Sequence, residues 1–240
     1  MKKIRKYTIY SIQDFLEHIE NVYAPNDHFL RSLFRGQHND LWEIIPSLFR
    51  IESNHNFELL ENHFLDGFKR MSRGMLKHLP DNELEWLTLA QHHGLPTRLI
   101  DWTYNPLIAL YFSVENFSID GALFHIVVED KKLFELQGVK SKSMDFKIPR
   151  YLKPDHISKR ISTQSACFLE FPVFEDCPVS LKEYYEDEEN NELHDYRKLI
   201  IPCKSKSLIK KQLDDLGINE FTVFPDLDGL SRFLKADKRI

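Results

Sequence analysis

Residues 92–103 of the chain read HHGLPTRLIDWT, between two segments with helical patterns. The preceding segment, from about Asn82 to His93, is predicted to be a helix. It should end at residues 94–96, because Gly and Pro commonly follow a last helical turn. After the stretch, Asn105-Pro106 is typical of an N-cap followed by the first helical position. Residues 92–103 are therefore predicted to connect two helices.

Two polar residues in this connection, Arg98 and Asp101, are three positions apart. One turn of helix would bring their side chains together among apolar neighbours. One interpretation is a partly buried ion pair that joins the two helices. The other is a cleft rim on which His93, Thr97 and Arg98 act as binding groups, since loops between helices often supply them.

A second cluster, Phe34-Arg35-Gly36, ends a predicted strand that begins at residue 31. An arginine in an apolar strand is costly unless its charge is paired. Arg35 is therefore expected either to meet a buried carboxylate or to face a cleft that binds an anion. Gly36 has no side chain and would let a ligand approach the backbone.

A third cluster, residues 160–168, places several polar side chains just before a predicted strand. Ser162, Thr163 and Gln164 are candidates to orient a ligand through hydrogen bonds. The alternative is a turn held by local bonds from side chains to the backbone.

The remaining patterns indicate helices early in the chain and strands late. A long helix is predicted over Asn56–His78, a buried strand over Ala122–Val128, and further strands over Cys167–Phe174 and Lys198–Ile201. A helix that opens at Ser205 or Ser207 and ends at Gly217 follows, and then a last element over Thr222–Leu234. Without a linker or βαβ alternation, the pattern predicts a single α+β domain over residues 1–240.

Composition and charge exclude several classes of protein. The net charge is −5 and the pI is about 6.1, which argues against a protein that binds nucleic acid through its overall charge. This balance does not exclude a local basic groove. Three scattered cysteines lack the spacing of a zinc site, so no metal is predicted. No signal-peptide pattern or membrane span is found, and a cytoplasmic location is expected. The acidic run at 186–192 is either a solvated loop or a contact for a partner.

Together the three clusters resemble the FRG-domain family. Phe34-Arg35-Gly36 matches the motif that names the domain, and residues 92–103 running into 105–112 look like its most distinctive block. Residues 216–218 and 224–230 are similar to its closing block, so the resemblance spans about residues 31–235. Ala166 stands where the family pattern has Gly.

This resemblance implies a function in phage defence or a toxin–antitoxin system, and a distant similarity to ADP-ribosyltransferases. It implies an ADP-ribosyltransferase-like core, with NAD as a substrate and RNA, DNA or protein as acceptor. It also implies an antitoxin or chaperone protein as a partner. The alternative is a binding or sensor module without catalysis. A nuclease is a weaker third candidate, because no paired carboxylates suggest a metal site.

Carried over to this sequence, the similarity implies a site in three parts. Arg35 would bind NAD, the polar side chains at 162–164 would orient the ribose, and a late carboxylate would stabilise the positive charge that develops there. Glu220 is the first candidate for that carboxylate, with Glu170 and Asp101 as alternatives. The predicted catalytic residues are Arg35, Gln164 and Glu220, and the predicted NAD-binding residues are Phe34, Gly36, His93, Thr97, Arg98, Asp101, Ser162 and Thr163.

Overall fold

The computed structural model describes residues 2–20, 30–52, 56–129, 149–153, 163–173, 180–187 and 193–236. Within these residues, one mixed sheet of seven strands carries the fold. Its strands are β1 Arg5–Thr8, β2 Leu30–Gln37, β3 Leu99–Thr103, β4 Gly121–Glu129, β5 Arg150–Leu152, β6 Ala166–Glu170 and β7 Leu193–Ile201.

Helices cover both faces of this sheet. They are α1 Ile12–Glu20, α2 Phe57–Ser72, α3 Glu83–His92, α4 Pro106–Ser113, α5 Leu181–Glu186, α6 Cys203–Asp215, α7 Glu220–Val223 and α8 Leu227–Ala236, with short 3₁₀ turns at Leu48–Arg50 and Arg73–Met75. The predicted α+β class is confirmed.

The strands follow the order β1-β7-β4-β2-β3-β6-β5. Neighbouring strands are antiparallel except for β1 and β7, which run parallel. The long apolar strand β4 lies between β7 and β2, as the buried pattern at 122–128 predicts. β1, β5 and β3 have no counterpart in the sequence prediction, and β3 replaces the helical turn considered for Arg98 and Asp101.

Successive side chains of β2 point to opposite faces of the sheet and therefore pack into different hydrophobic cores. Leu33 belongs to a cluster with Trp102, Tyr196 and residues of α5. Phe34, on the opposite face, packs with α4, α6 and α1. A third cluster joins α2 and α3 to Leu99 and Phe168 of the same face. Two helical layers therefore cover that face, one centred on α4 and the other on α3.

Local signals identified the start of α4 and the end of α6 correctly, whereas α6 begins at Cys203 and not at the predicted Ser205 or Ser207. The Asn105 side chain caps α4 by accepting hydrogen bonds from the backbone N–H groups of residues 107 and 108, and Pro106 is the first helical residue. Gly217 adopts a φ of +81°, and the N–H of Ile218 donates to the carbonyl of Leu213 at 2.8 Å, which closes α6.

The long early helix differs from its prediction. α2 ends at Ser72 rather than His78. Met71 and Met75, two of its predicted apolar positions, are 76% and 85% exposed. Glu61 and Leu65 are buried instead. Glu61 can be buried because it forms an ion pair with Arg98 beneath the helix.

The buried His125 on β4 gives the fold a dependence on pH. Its ring stacks on Phe34 at 4.6 Å between centroids, and its Nε2 has no hydrogen-bond partner among the described residues. Burial, together with the nearby charge of Arg197, lowers the pKa of His125 to about 3. The folded protein therefore keeps the imidazole neutral where the unfolded chain, with a pKa near 6.5, takes up a proton.

We expect the contribution of His125 to stability to be complete above about pH 6.5. Below it, the free energy of unfolding should fall by about 1.4 kcal/mol per pH unit from this group alone. Urea unfolding of the wild type and His125→Leu at pH 7, 6, 5 and 4.5 measures the effect. The wild type should show the steeper loss, whereas exposed His63→Leu should follow the wild type. If the free energy of unfolding falls with pH equally in His125→Leu and the wild type, His125 is not the source of this pH dependence.

Candidate functional site

The candidate site lies where β2 and β3 separate. These strands are in register only at Phe34 and Thr103 within the described part of the sheet. Beyond that pair, the Arg35 side chain crosses the gap, and its Nη1 donates to the backbone carbonyl of Asp101 at 2.6 Å. Burial lowers the pKa of Arg35, and the carboxylate of Asp101 partly offsets this effect. Arg35 thus joins two strands that no longer pair.

A chamber of about 290 Å³ occupies this gap, between α3 and α4. Phe34, Phe112 and Phe168 supply aromatic walls, and Gln91, His92, Thr103 and Gln164 supply polar groups. Gly36 forms part of the wall beside α4. A Cβ at that position would lie 1.8 Å from the carbonyl oxygen of Ala109, so only glycine allows α4 to pack this closely. The chamber therefore combines apolar surfaces with few, convergent polar groups, as small-molecule sites do.

Asp101 is the carboxylate of this chamber. It is the exposed centre of β3, whose other four residues are buried. Gln91 Nε2 donates to its Oδ1 at 2.8 Å, and Gln91 Oε1 accepts from Thr97 Oγ1 at 2.5 Å. The carboxylate is thus held by an amide that is itself fixed. Such an oriented negative charge can stabilise positive charge developing on a bound molecule.

The polar run before β6 reaches the chamber through Gln164. The carbonyl of Gln164 accepts from Thr103 Oγ1 at 2.6 Å, and its Nε2 donates to the carbonyl of Val223 at 3.1 Å. Ser165 follows with a φ of +48°, a left-handed conformation that non-glycine residues adopt only occasionally. Thr163 is exposed and is not among the residues that line the chamber, and Ser162 lies outside the described residues.

Arg98 has a different partner from the one considered in the sequence. Its Nε lies 3.2 Å from carboxylate oxygens of both Glu61 and Glu170, and its side chain is 4% exposed. Asp101 instead accepts from Gln91, so the Arg98–Asp101 pair does not form. The reason is that 99–103 is a strand, in which residues three apart point to opposite faces. Arg98 is therefore a buried structural cation and not a group on a cleft rim.

Two other predicted binding residues also lie away from the chamber wall. Thr97 is buried and acts on Asp101 only through Gln91. His93 packs against Phe68, with 6.4 Å between ring centroids, while its neighbour His92 lines the chamber. His92, and not the predicted His93, is therefore the histidine of the chamber wall.

The two late carboxylates are engaged elsewhere. Glu220 begins α7, accepts a hydrogen bond from the Tyr111 hydroxyl and pairs with Arg232 Nε at 3.0 Å. Burial raises its pKa, but these two contacts together with the charge of Lys210 outweigh burial, and the pKa of Glu220 is lowered overall. Glu170 is buried between Arg98 and Arg150. Neither is among the described residues that line the chamber, so the structure brings neither of them to the site.

Gln91, His92, Phe112 and Phe168 line the chamber but were not among the predicted site residues. The available signal was the composition of 99–103, in which one charged residue lies among four that favour burial. Read as a buried strand, that segment would have identified Asp101 as its one exposed residue.

Comparisons with known proteins agree with the sequence resemblance. Residues 31–120 match the family model of the FRG domain, a range that includes Arg35, Gln91 and Asp101. The match ends before β4, so the proposed extension of the resemblance to residue 235 stays a prediction. No curated protein and no solved structure shows significant similarity to the chain.

The described segments also bear on two other classes of site. No helix in the described segments has both the length and the apolar character needed to cross a membrane. Among the same segments, no group of three His, Cys, Asp or Glu side chains is arranged to hold a metal ion.

Proposed function

We propose that this chain, whose residues 31–120 match the family model of the FRG domain, is an enzyme that cleaves NAD in its chamber and transfers ADP-ribose to a nucleic-acid or protein acceptor. The observation that carries the proposal is Asp101, a carboxylate oriented by Gln91 inside an aromatic chamber. Asp101 replaces Glu220 as the proposed catalytic carboxylate.

The proposed reaction breaks the bond between C1′ of the ribose and the nicotinamide nitrogen. The bonding electron pair leaves with nicotinamide, and positive charge develops on the ribose. An acceptor oxygen or nitrogen then bonds to C1′ and loses a proton to solvent. A carboxylate close to C1′ lowers the barrier, because it is complementary to the charge of the transition state.

The chamber walls fit the other demands of this substrate. Phe34, Phe112 and Phe168 offer faces on which the nicotinamide ring can pack. Gln164 and Thr103 place polar atoms beside the same cavity, where the ribose hydroxyls would need them. Arg35 supplies a cation close to Asp101, although one of its N–H groups is already used to hold the strands together.

A binding or sensor module is the competing function. It is favoured by the structural use of Arg35, which donates to a backbone carbonyl instead of an acidic side chain. The same chamber would then hold a nucleotide without cleaving it. A toxin-like effector would also have a neutralising partner protein, and co-purification with a second chain tests that part of the proposal.

The decisive assay uses NAD labelled in its adenylate phosphate, with total RNA, DNA or cell lysate as acceptor. Label on a macromolecule supports the transferase and identifies the acceptor class. Release of nicotinamide without transfer indicates hydrolysis of NAD. Saturable NAD binding without turnover, in the presence of lysate, supports the binding module. Turnover that persists in chelator excludes a metal-dependent nuclease as its source.

A further inference from the structure

A second cavity, of about 230 Å³, adjoins the chamber through a shared wall of Arg35, Gln91 and Asp101. Its remaining lining includes Arg50, Ser47 and Gly94. Gly94 has a φ of +86° and no atom within 4 Å of the place where a Cβ would stand, so this side of the cavity is open. The two cavities therefore lie on either side of a wall that includes Asp101.

The charges that line this second cavity are unbalanced. Neither Arg35 nor Arg50 forms an ion pair within the described segments. Arg35 donates to the Asp101 carbonyl, and Arg50 donates to the Ile45 carbonyl through Nε at 3.2 Å and Nη2 at 2.8 Å. Both guanidinium groups are thus held in place by neutral backbone oxygens and not by carboxylates. Asp101 is the one acidic side chain among the described lining residues.

Arg35 has a further unused donor. Its Nε is buried and has no hydrogen-bond partner among the described residues. A buried donor of this kind costs free energy unless a ligand or water meets it. Arginines suit phosphate because their planar N–H donors match two oxygens at once. Two fixed arginines favour a group with at least two negative charges.

We propose that the cavity between Arg35 and Arg50 binds a diphosphate group, with Arg50 as the residue that selects a diphosphate-bearing substrate. This inference rests on the proposed function for the identity of the whole substrate. A dinucleotide would place its diphosphate beside Arg50 and its reacting ribose beside Asp101, on the two sides of the shared wall.

Inorganic pyrophosphate is the probe, and isothermal titration of the full chain is the measurement. The wild type should bind pyrophosphate with a Kd below the millimolar range. Arg50→Met should weaken binding roughly 10- to 100-fold, the loss expected for hydrogen bonds to a charged group. Arg73→Met removes an exposed arginine outside the cavity and should leave the Kd unchanged. Absence of pyrophosphate binding to the wild type, or equal affinity in Arg50→Met, overturns the inference.

Circular dichroism checks that Arg50→Met is folded. Should it fail, Arg50→Lys takes its place, and several-fold weaker binding is expected because an ammonium group lacks the planar pair of N–H donors that matches two phosphate oxygens. The two proposals fail separately. Pyrophosphate binding that depends on Arg50 without NAD cleavage upholds this inference and contradicts the enzyme. If Arg50→Met cleaves NAD with an unchanged KM and binds pyrophosphate with an unchanged affinity, the enzyme is upheld and this inference is contradicted.

Discussion

Replacing Asp101 with Asn is expected to slow NAD cleavage by roughly 10²–10³-fold, the usual effect of losing one group that stabilises transition-state charge. Asn keeps the size of the side chain and can still meet Gln91, so the fold and the KM for NAD should change little. The measurement is nicotinamide release at saturating NAD, with the unfolding midpoint as a check of stability.

Glu220→Gln is the matched control for this prediction. Its carboxylate binds Tyr111 and Arg232 away from the chamber, so the variant should retain cleavage within a few-fold of the wild type. Loss of turnover in Glu220→Gln with normal turnover in Asp101→Asn would return the catalytic role to Glu220. Equal losses would mean that neither carboxylate acts alone.

Arg98→Met is expected to lower the free energy of unfolding by about 3–5 kcal/mol, because it removes the cation between two buried carboxylates. Glu61 and Glu170 are each 2% exposed, and Glu61 also accepts from the Arg98 backbone N–H at 2.8 Å. Without Arg98, Glu61 must stay charged without its cation or take up a proton, and Glu170 keeps only its ion pair with Arg150. Each change destabilises the folded state.

Urea unfolding at pH 7 measures this effect, with Arg70→Met on the exposed face of α2 as the control. The control should lose less than about 0.5 kcal/mol, as surface substitutions usually do. If Arg98→Met lowers the free energy of unfolding by no more than Arg70→Met does, the buried cluster contributes little to stability. It would also reopen a functional role for Arg98, because a dispensable buried cation beside the site would need another explanation.

Local chemistry explains which elements were predictable. The Asn105 cap, the Pro106 start and the Gly217 end each depend on neighbours within a few residues, and each was read from the sequence. The central strand β4 was also evident, because a strand covered on both faces is apolar at nearly every position.

Distant contacts explain what was missed. Arg98 and Asp101 are close in sequence and suggested a pair, but the partners of Arg98 come from α2 and β6. Nothing near residue 98 indicates Glu61 or Glu170. The same holds for Gln91, whose role follows only from the position of β3 beside α3.

The sequence predicted only part of the candidate site, because contacts between distant residues build the rest. Three of the predicted site residues, Arg35, Gly36 and Gln164, line one cavity, since their motifs lie on the elements that build it. The choice among Asp101, Glu170 and Glu220 required the fold, because all three are distant from Arg35 in the sequence.

Hydrogen–deuterium exchange of Asp101→Asn with and without NAD tests the central claim most directly, since this variant should bind NAD without consuming it. The account predicts slower exchange in segments 34–37, 88–92, 101–103 and 164–168, which surround the chamber, with little change in α8. Saturable NAD binding with protection confined to other segments, or no binding at millimolar NAD, would contradict it.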